Sequence, residues 1–391
     1  MLGTRPEIIK LARVIRLLGT EARIVYTGQH IDDDLFTSFF ESFSLPRPKV
    51  RLAGISGRPR GIQIARAIEQ LTDHFTDAKP DIVVVQGDTN ATSAGAQAAN
   101  YCQIPVVHVE AGLRSFDPSM PEEINRRVVA MLADMHCAPT EGSAENLRKE
   151  GISSDRIRIT GNTVVEALQE SLPQRHISLG VLDKYDLTDE GYVLATIHRP
   201  ENTDSAKNLG TVITELSRLP VPVIFPVHPR TMARVREFGL SDRLNQLKCT
   251  PPLDYTTFLS LARHARLIVS DSGGIQEECT VLKKPVLVIR NNTERPEAVD
   301  AGFAVRVPVG DRISEQASRI IFDAGLPNWL ESRPSPFGDG KASERISDII
   351  QAVMAGRTPP YQSAADQFSC RSEWYAMRRG AHRSPTHTNN N

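Results

Sequence analysis

Short apolar, β-branched runs alternate with amphipathic stretches along nearly the whole chain. In the first half the runs are ARIVYT, DIVVVQ, PVVHVE and RIRIT; in the second they are YVLATI, PVIFPV, RLIVSD and PVLVIR. Each has strand length, and the segments between them carry a helical period. Alternation of this kind predicts a parallel, doubly wound α/β sheet, and the pattern occurs twice. Residues 174–189 are polar and show neither period, so a linker is expected there or slightly before. The reading is a first domain over 1–172, a second over 173–340 and a closing helix within 341–358. A polar, irregular tail over 359–391 is expected to be disordered.

The start of the chain fits this pattern poorly. GTRPEIIK begins at Gly3, and a glycine-bearing loop that runs into a helix normally follows a strand. Only Met1 and Leu2 precede it. Loss of a central first strand would bare its neighbours' edges, so the expectation is a start site placed too far downstream.

The length, 391 residues, agrees with two domains. A formal net charge of -1 gives no electrostatic reason to expect nucleic acid or a membrane surface as partner. Apolar runs fall far short of the roughly 20 residues that span a bilayer, and the N-terminus lacks a signal-peptide pattern. Cys102, Cys137, Cys249, Cys279 and Cys370 are scattered, odd in number and never spaced as CxxC. That usage points to a reduced, cytoplasmic protein with neither a disulfide framework nor a zinc site.

Candidate chemistry lies just after the strand-like runs, where an open α/β sheet delivers residues to a crevice. In SDSGGIQEE, Ser272, Gly273 and Gly274 turn into a helix whose N-terminus favours an anion. Glu278 follows one turn later, where a carboxylate can accept from ribose hydroxyls. Arg295, in TERPE, adds a cation after the next strand. An ordinary strand-to-helix turn is the alternative for the glycines. Asp88, Glu110, Glu122 and Glu123 form an acidic cluster, with Asp88 and Glu110 at the ends of adjacent strands. Glu110, inside VVHVEAG, needs a partner if buried, and Arg114, Arg126 and Arg127 are the nearest candidates in sequence. A structural ion-pair network is one reading; general acid or base chemistry by carboxylates that raise each other's pKa is the other. His198 with Arg199 and His228 with Arg230 end successive strands and could form a cationic wall. No HxH or HExxH spacing occurs, so no metal is expected. Arg5, Lys10, Gln29 and His30 lie in loops at the same sheet edge of the first half.

Taken in order, GTRPEIIK, TGQH, QGDT, HVEAGLR, PEEINRR, HRPEN, HP, DSGGIQEE and TERPE resemble the non-hydrolysing UDP-N-acetylglucosamine 2-epimerases. The resemblance runs from Gly3 to about Ala355. It implies a glycosyltransferase-B-like pair of Rossmann-like domains with the active site in the cleft, and no cofactor. It also implies a homodimer and a UDP-sugar substrate, UDP-N-acetylglucosamine, epimerised at carbon 2 to UDP-N-acetylmannosamine by elimination through 2-acetamidoglucal. The alternatives are a modified UDP-sugar such as a UDP-diacetamido-uronic acid, or a catalytically silent UDP-sugar-binding protein. By motif position, Asp88, Glu110 and Glu122 become proton-transfer groups and His198 faces the diphosphate or departing oxygen. Arg5 and Lys10 bind from the first domain. Ser272, Gly273 and Gly274 hold diphosphate, Glu278 the ribose, and His228 and Arg295 line the nucleotide side. The acidic run at 32–34 and LAGISGRPRGIQIAR depart from the family pattern, which leaves activation by substrate open.

Overall fold

The computed structural model describes residues 1–29, 40–310 and 312–356. Its strands are β1 (Val25–Tyr26), β2 (Val50–Arg51), β3 (Val83–Gln86), β4 (Val106–Val109), β5 (Met135–Ala138) and β6 (Ile157–Ile159), then β7 (Val193–Thr196), β8 (Val223–Pro226), β9 (Lys248–Thr250), β10 (Leu267–Ser270), β11 (Val286–Ile289) and β12 (Ala304–Val307). All eight apolar runs contain a strand. The first lobe carries a sheet ordered β3-β4-β5-β6 and a separate β1-β2 pair; the second carries β12-β11-β10-β7-β8-β9. Every pairing between these strands is parallel. A parallel sheet covered on both faces buries every residue of its central strands, which is why VVHV, LIVS and VLVI show no alternation. In the second lobe Leu194, Ile268 and Val288 face one core, while Ala195, Val269 and Leu287 face the other. The chain therefore folds as the α/β class with two Rossmann-like lobes. No helix among the described residues is long and apolar enough to cross a membrane.

The place expected for a first strand is held by two residues. Leu2 forms a parallel bridge with Tyr26, and the Met1 ammonium donates to the Val84 carbonyl at 2.9 Å. Beside them lies a cavity of about 490 Å³, between the segments 22–25 and 80–84 and lined by Leu11, Val14, Phe75 and Ile350. The GTRPE loop is nonetheless pinned. Glu7, fully buried, accepts from Gly3 N at 3.0 Å, Thr4 Oγ1 at 2.8 Å and Thr89 Oγ1 at 3.0 Å. This ties the glycine loop to the loop after β3. Gly3 has no room for a side chain, since a Cβ there would lie 2.4 Å from that of Ala91.

The segment expected as an irregular linker is corrected by the structure. Arg175–Lys184 is a helix with Ser178 and Leu182 buried, and Leu179, Val181 and Tyr185 pack on the second-lobe core. Leu179, Leu182 and Tyr185 supply a helical stripe. Gly180 and the exposed Ile177 disguise it in the sequence. The last described helix, Ala342–Met354, inserts Ile346, Ile349 and Ile350 against Ile8 and Leu11 of the helix Arg5–Leu18. Glu166 fixes its start by accepting from Ala342 N at 2.9 Å and Ser343 N at 2.6 Å. Such a carboxylate satisfies donors that the first helical turn leaves unpaired. The expected disordered tail, His30 and the acidic run at 32–34 lie outside the described residues.

Candidate active site

The C-terminal ends of both sheets open on one cleft of about 1010 Å³. The twelve residues given site roles by the resemblance all line it: Arg5, Lys10, Asp88, Glu110 and Glu122 from the first lobe, and His198, His228, Ser272, Gly273, Gly274, Glu278 and Arg295 from the second. Glu123 does not. It is buried at 1% exposure and accepts from Ser115 N at 3.0 Å and Arg126 Nη1 at 3.1 Å.

Asp88 follows β3 and Glu110 follows β4, and those strands are paired. Asp88 accepts from Arg126 at 3.0 Å (Nε) and 2.6 Å (Nη2). Asn125, on the same helix as Arg126, fixes the Asp88 carbonyl at 2.8 Å. Glu110 adopts φ +63°, a conformation that costs a non-glycine residue and recurs at functional sites. Glu122 sits half-buried in the first turn of the helix Pro121–Leu132.

The partners expected for Glu110 require correction. Arg114 pairs with Glu150 at 2.6 Å, Arg126 with Asp88 and Glu123, and Arg127 with Glu123. Glu110 instead meets Lys10, with Arg295 Nη2 at 3.7 Å. Lys10 also reaches Glu277 at 2.9 Å, and Arg295 Nε reaches Glu277 at 2.7 Å. Burial pushes the Glu110 carboxyl above the usual carboxylate range; Lys10 and Arg295 oppose this and Glu277 reinforces it. The acid that repels Glu110 therefore comes from the other lobe and not from its neighbours in sequence. Burial acts the same way on Glu277, but Arg295 and Lys10 outweigh it and hold its carboxyl low.

In the second lobe, His198 follows β7. Asp271, fully buried at the end of β10, accepts from the backbone N–H of His198 and Arg199, at 3.0 and 2.9 Å, and from Asn202 Nδ2 at 2.9 Å. Its Oδ1 lies 3.0 Å from His198 Nδ1. That contact commits Nδ1 to Asp271 and leaves Nε2 to the cleft. His228 caps the helix Pro229–Glu237, and its ring centre lies 5.8 Å from that of His198. The helix Gly273–Leu282 points its N-terminus into the cleft from Ser272. A Cβ on Gly273 would come within 2.5 Å of Arg295 Nη1, so glycine is required for this guanidinium to approach the helix start. Burial pushes the Glu278 carboxyl up to about 7, with Glu277 adding to the effect; Tyr255 Oη donates to it at 3.3 Å.

Sequence reasoning missed Asp271, Glu277 and Glu294. Glu294 contacts Arg290 at 2.8 Å, Arg295, and Arg126 of the first lobe at 3.7 Å. All three acids lie inside the quoted motifs, but their burial, and the partners of Glu277 and Glu294 in the other lobe, follow only from the fold. Among the described residues, no group of three or more His, Cys, Asp or Glu side chains is arranged to hold a metal. The arrangement sets carboxylates on one lobe against an anion-binding helix start, a histidine and cations on the other.

Comparison with known proteins agrees with this geometry. The family model described as UDP-N-acetylglucosamine 2-epimerase matches residues 16–351. The UDP-N-acetylglucosamine 2-epimerase of Methanocaldococcus jannaschii is 40% identical over 364 residues, covering 90% of this chain and 97% of that protein. The crystal structure of the enzyme from that organism in complex with UDP-GlcNAc and UDP superposes with a TM-score of 0.81 at 39% identity, covering 90% and 98% of the two chains. The UDP-2,3-diacetamido-2,3-dideoxy-D-glucuronate 2-epimerase of Pseudomonas aeruginosa is 33% identical, covering 90% and 98%. The chain, an isomerase of the α/β class, belongs to the UDP-N-acetylglucosamine 2-epimerase family.

Proposed function

We propose that this protein interconverts UDP-N-acetylglucosamine and UDP-N-acetylmannosamine by elimination and re-addition. Carbon 2 of the sugar has no adjacent carbonyl to acidify its proton, so simple enolisation fails. A first-lobe carboxylate takes that proton while the bond from carbon 1 to the UDP oxygen breaks, giving 2-acetamidoglucal and UDP. A proton then returns to the opposite face of carbon 2 as the UDP oxygen re-forms its bond to carbon 1. Atoms and electrons balance without an oxidant or reductant.

The observation that carries this reading is the opposition across one cleft of Asp88, Glu110 and Glu122 to the helix start at Ser272, Gly273 and Gly274. We assign proton transfer to those three carboxylates and diphosphate binding to that helix start. His198 Nε2 faces the departing oxygen, held in place by Asp271. Glu278 accepts from ribose, His228 and Arg295 line the nucleotide side, and Arg5 and Lys10 act from the first lobe. The working unit we propose is a domain of residues 1–172 closing on a domain of residues 173–340 around the ligand. Enclosure matters, because escape of the glucal or attack by water would end the cycle. Scattered cysteines, free at Cys102, Cys137, Cys249 and Cys279, favour the cytoplasm.

The Pseudomonas relative motivates a second substrate, a UDP-diacetamido-uronic acid, handled by the same cleft. A panel of UDP-sugars followed by proton NMR separates the two. Equilibration of UDP-N-acetylglucosamine with its manno epimer is expected, and faster turnover of the uronic acid would favour the second reading. UDP binding with no epimerisation of either sugar would overturn both.

A further inference from the structure

Lys10, Glu110, Glu277 and Arg295 form a closed square of charges, with exposures of 7, 9, 0 and 5%. Each lobe supplies one cation and one anion. Within the first lobe Lys10 pairs with Glu110; within the second, Arg295 pairs with Glu277 at 2.7 Å. The other two sides run between lobes, from Lys10 to Glu277 at 2.9 Å and from Arg295 to Glu110 at 3.7 Å. Each lobe thus brings a neutral pair to the cleft, which lowers the desolvation cost of burying it. Across the boundary between lobes, Glu110 meets the Arg295 guanidinium and shares the Lys10 ammonium with Glu277.

We propose that Glu277 is a positioning residue for proton transfer at Glu110, balancing the positive charge that the second lobe brings to that carboxylate. The proposal rests on the epimerase reading and deepens it. Glu277 is absent from the cleft lining. The charged groups around it are Lys10 on the first helix, Glu110 after β4, Glu294 and Arg295 after β11, and Glu278 on its own helix. Without its charge, Glu110 would face two buried cations, Lys10 and Arg295, with Glu294 on the far side of Arg295 and the Asn162 amide donating to Glu110 at 3.3 Å as the remaining neighbours. A carboxylate so placed holds its proton poorly, and nearby opposite charges commonly lower such a group by about one pH unit or more. It would then be unsuited to passing a proton near neutrality. The square restores the balance: burial does most to raise the Glu110 carboxyl, and Glu277 adds to that rise against the two adjacent cations.

Charge arithmetic makes this testable. The pH profile of carbon 2 proton exchange should be measured for wild type, Glu277→Gln, Lys10→Met and the Glu277→Met/Lys10→Met double variant. Removing the anion should move the limb set by Glu110 toward acid by about one pH unit. Removing the cation should move it toward alkali. The double variant, which removes one charge of each sign and leaves the Arg295–Glu110 pair, should bring the limb back near wild type. UDP affinity of Glu277→Gln should stay within about threefold of wild type, because the residue is absent from the cleft lining. If Glu277→Gln does not fold, Lys10→Met and the double variant carry the test. Limbs that stay fixed, or that move the same way when either charge is removed, would overturn the proposal. Wild type with no exchange on any UDP-sugar would instead overturn the epimerase reading itself.

Discussion

At the residue scale, the cleft keeps ionisable groups in surroundings that alter their proton affinity, and Glu278 gives the cleanest consequence. Burial holds its carboxyl up at about 7, against about 4.3 in an unfolded chain. Between those values the native state binds more protons than the unfolded state, so this group makes stability fall as pH rises through that window. Above pH 7 the penalty is complete, on the order of 3 kcal/mol. Glu278→Gln should therefore gain stability relative to wild type at pH 8 compared with pH 5, as read by urea unfolding at both pH values. An identical difference at both would contradict the assignment. Asp88, Glu110 and Glu122 were legible because each follows a recognisable run or motif. Their partners were not. Lys10 lies 100 positions from Glu110, and Arg114, nearer in sequence, turns away to Glu150.

At the element scale, most strands buried on both faces announced themselves as unbroken apolar runs. Others did not. β5 reads MHCA and β12 reads AVRV, with Val305 and Arg306 exposed; neither is a continuous apolar, β-branched run. The helix Arg175–Lys184 was obscured by Gly180 and by polar residues that face solvent. The helix Gly273–Leu282 was legible from its glycines, whose purpose the structure sharpens. Gly273→Ala should displace Arg295, because the added carbon would sit 2.5 Å from Nη1 and 2.7 Å from Glu294 Oε1. Overpacking of this kind costs roughly 1–3 kcal/mol of folding stability, and with Arg295 moved from the helix start UDP affinity by calorimetry should also fall, by about tenfold. Unchanged affinity would show that Arg295 does not need its place against the helix.

At the scale of the whole molecule, the two lobes meet through polar contacts that individual motifs could not reveal. Asn292 Nδ2 donates to Asp117 at 3.0 Å, and Thr140 donates to Glu297 across the cleft. Thr140 is also the N-cap of the helix Glu141–Lys149, accepting from Ser143 N at 3.1 Å. Glu297→Ala leaves that cap intact and removes only the bond between lobes. We expect UDP affinity, which we assign mainly to the second lobe, to change little while turnover falls several-fold. Equal losses in both would show that Glu297 supports the nucleotide site and not closure.

The central claim is that this cleft moves a proton at carbon 2 of a UDP-sugar. Incubating the protein with UDP-N-acetylglucosamine in heavy water and following the carbon 2 proton by NMR tests it most directly. We predict deuterium at carbon 2 in both epimers as they equilibrate, and loss of this exchange in Glu110→Gln and Asp88→Asn while UDP still binds. Epimerisation with retention of the original proton at carbon 2, or undiminished exchange in both variants, would contradict the account.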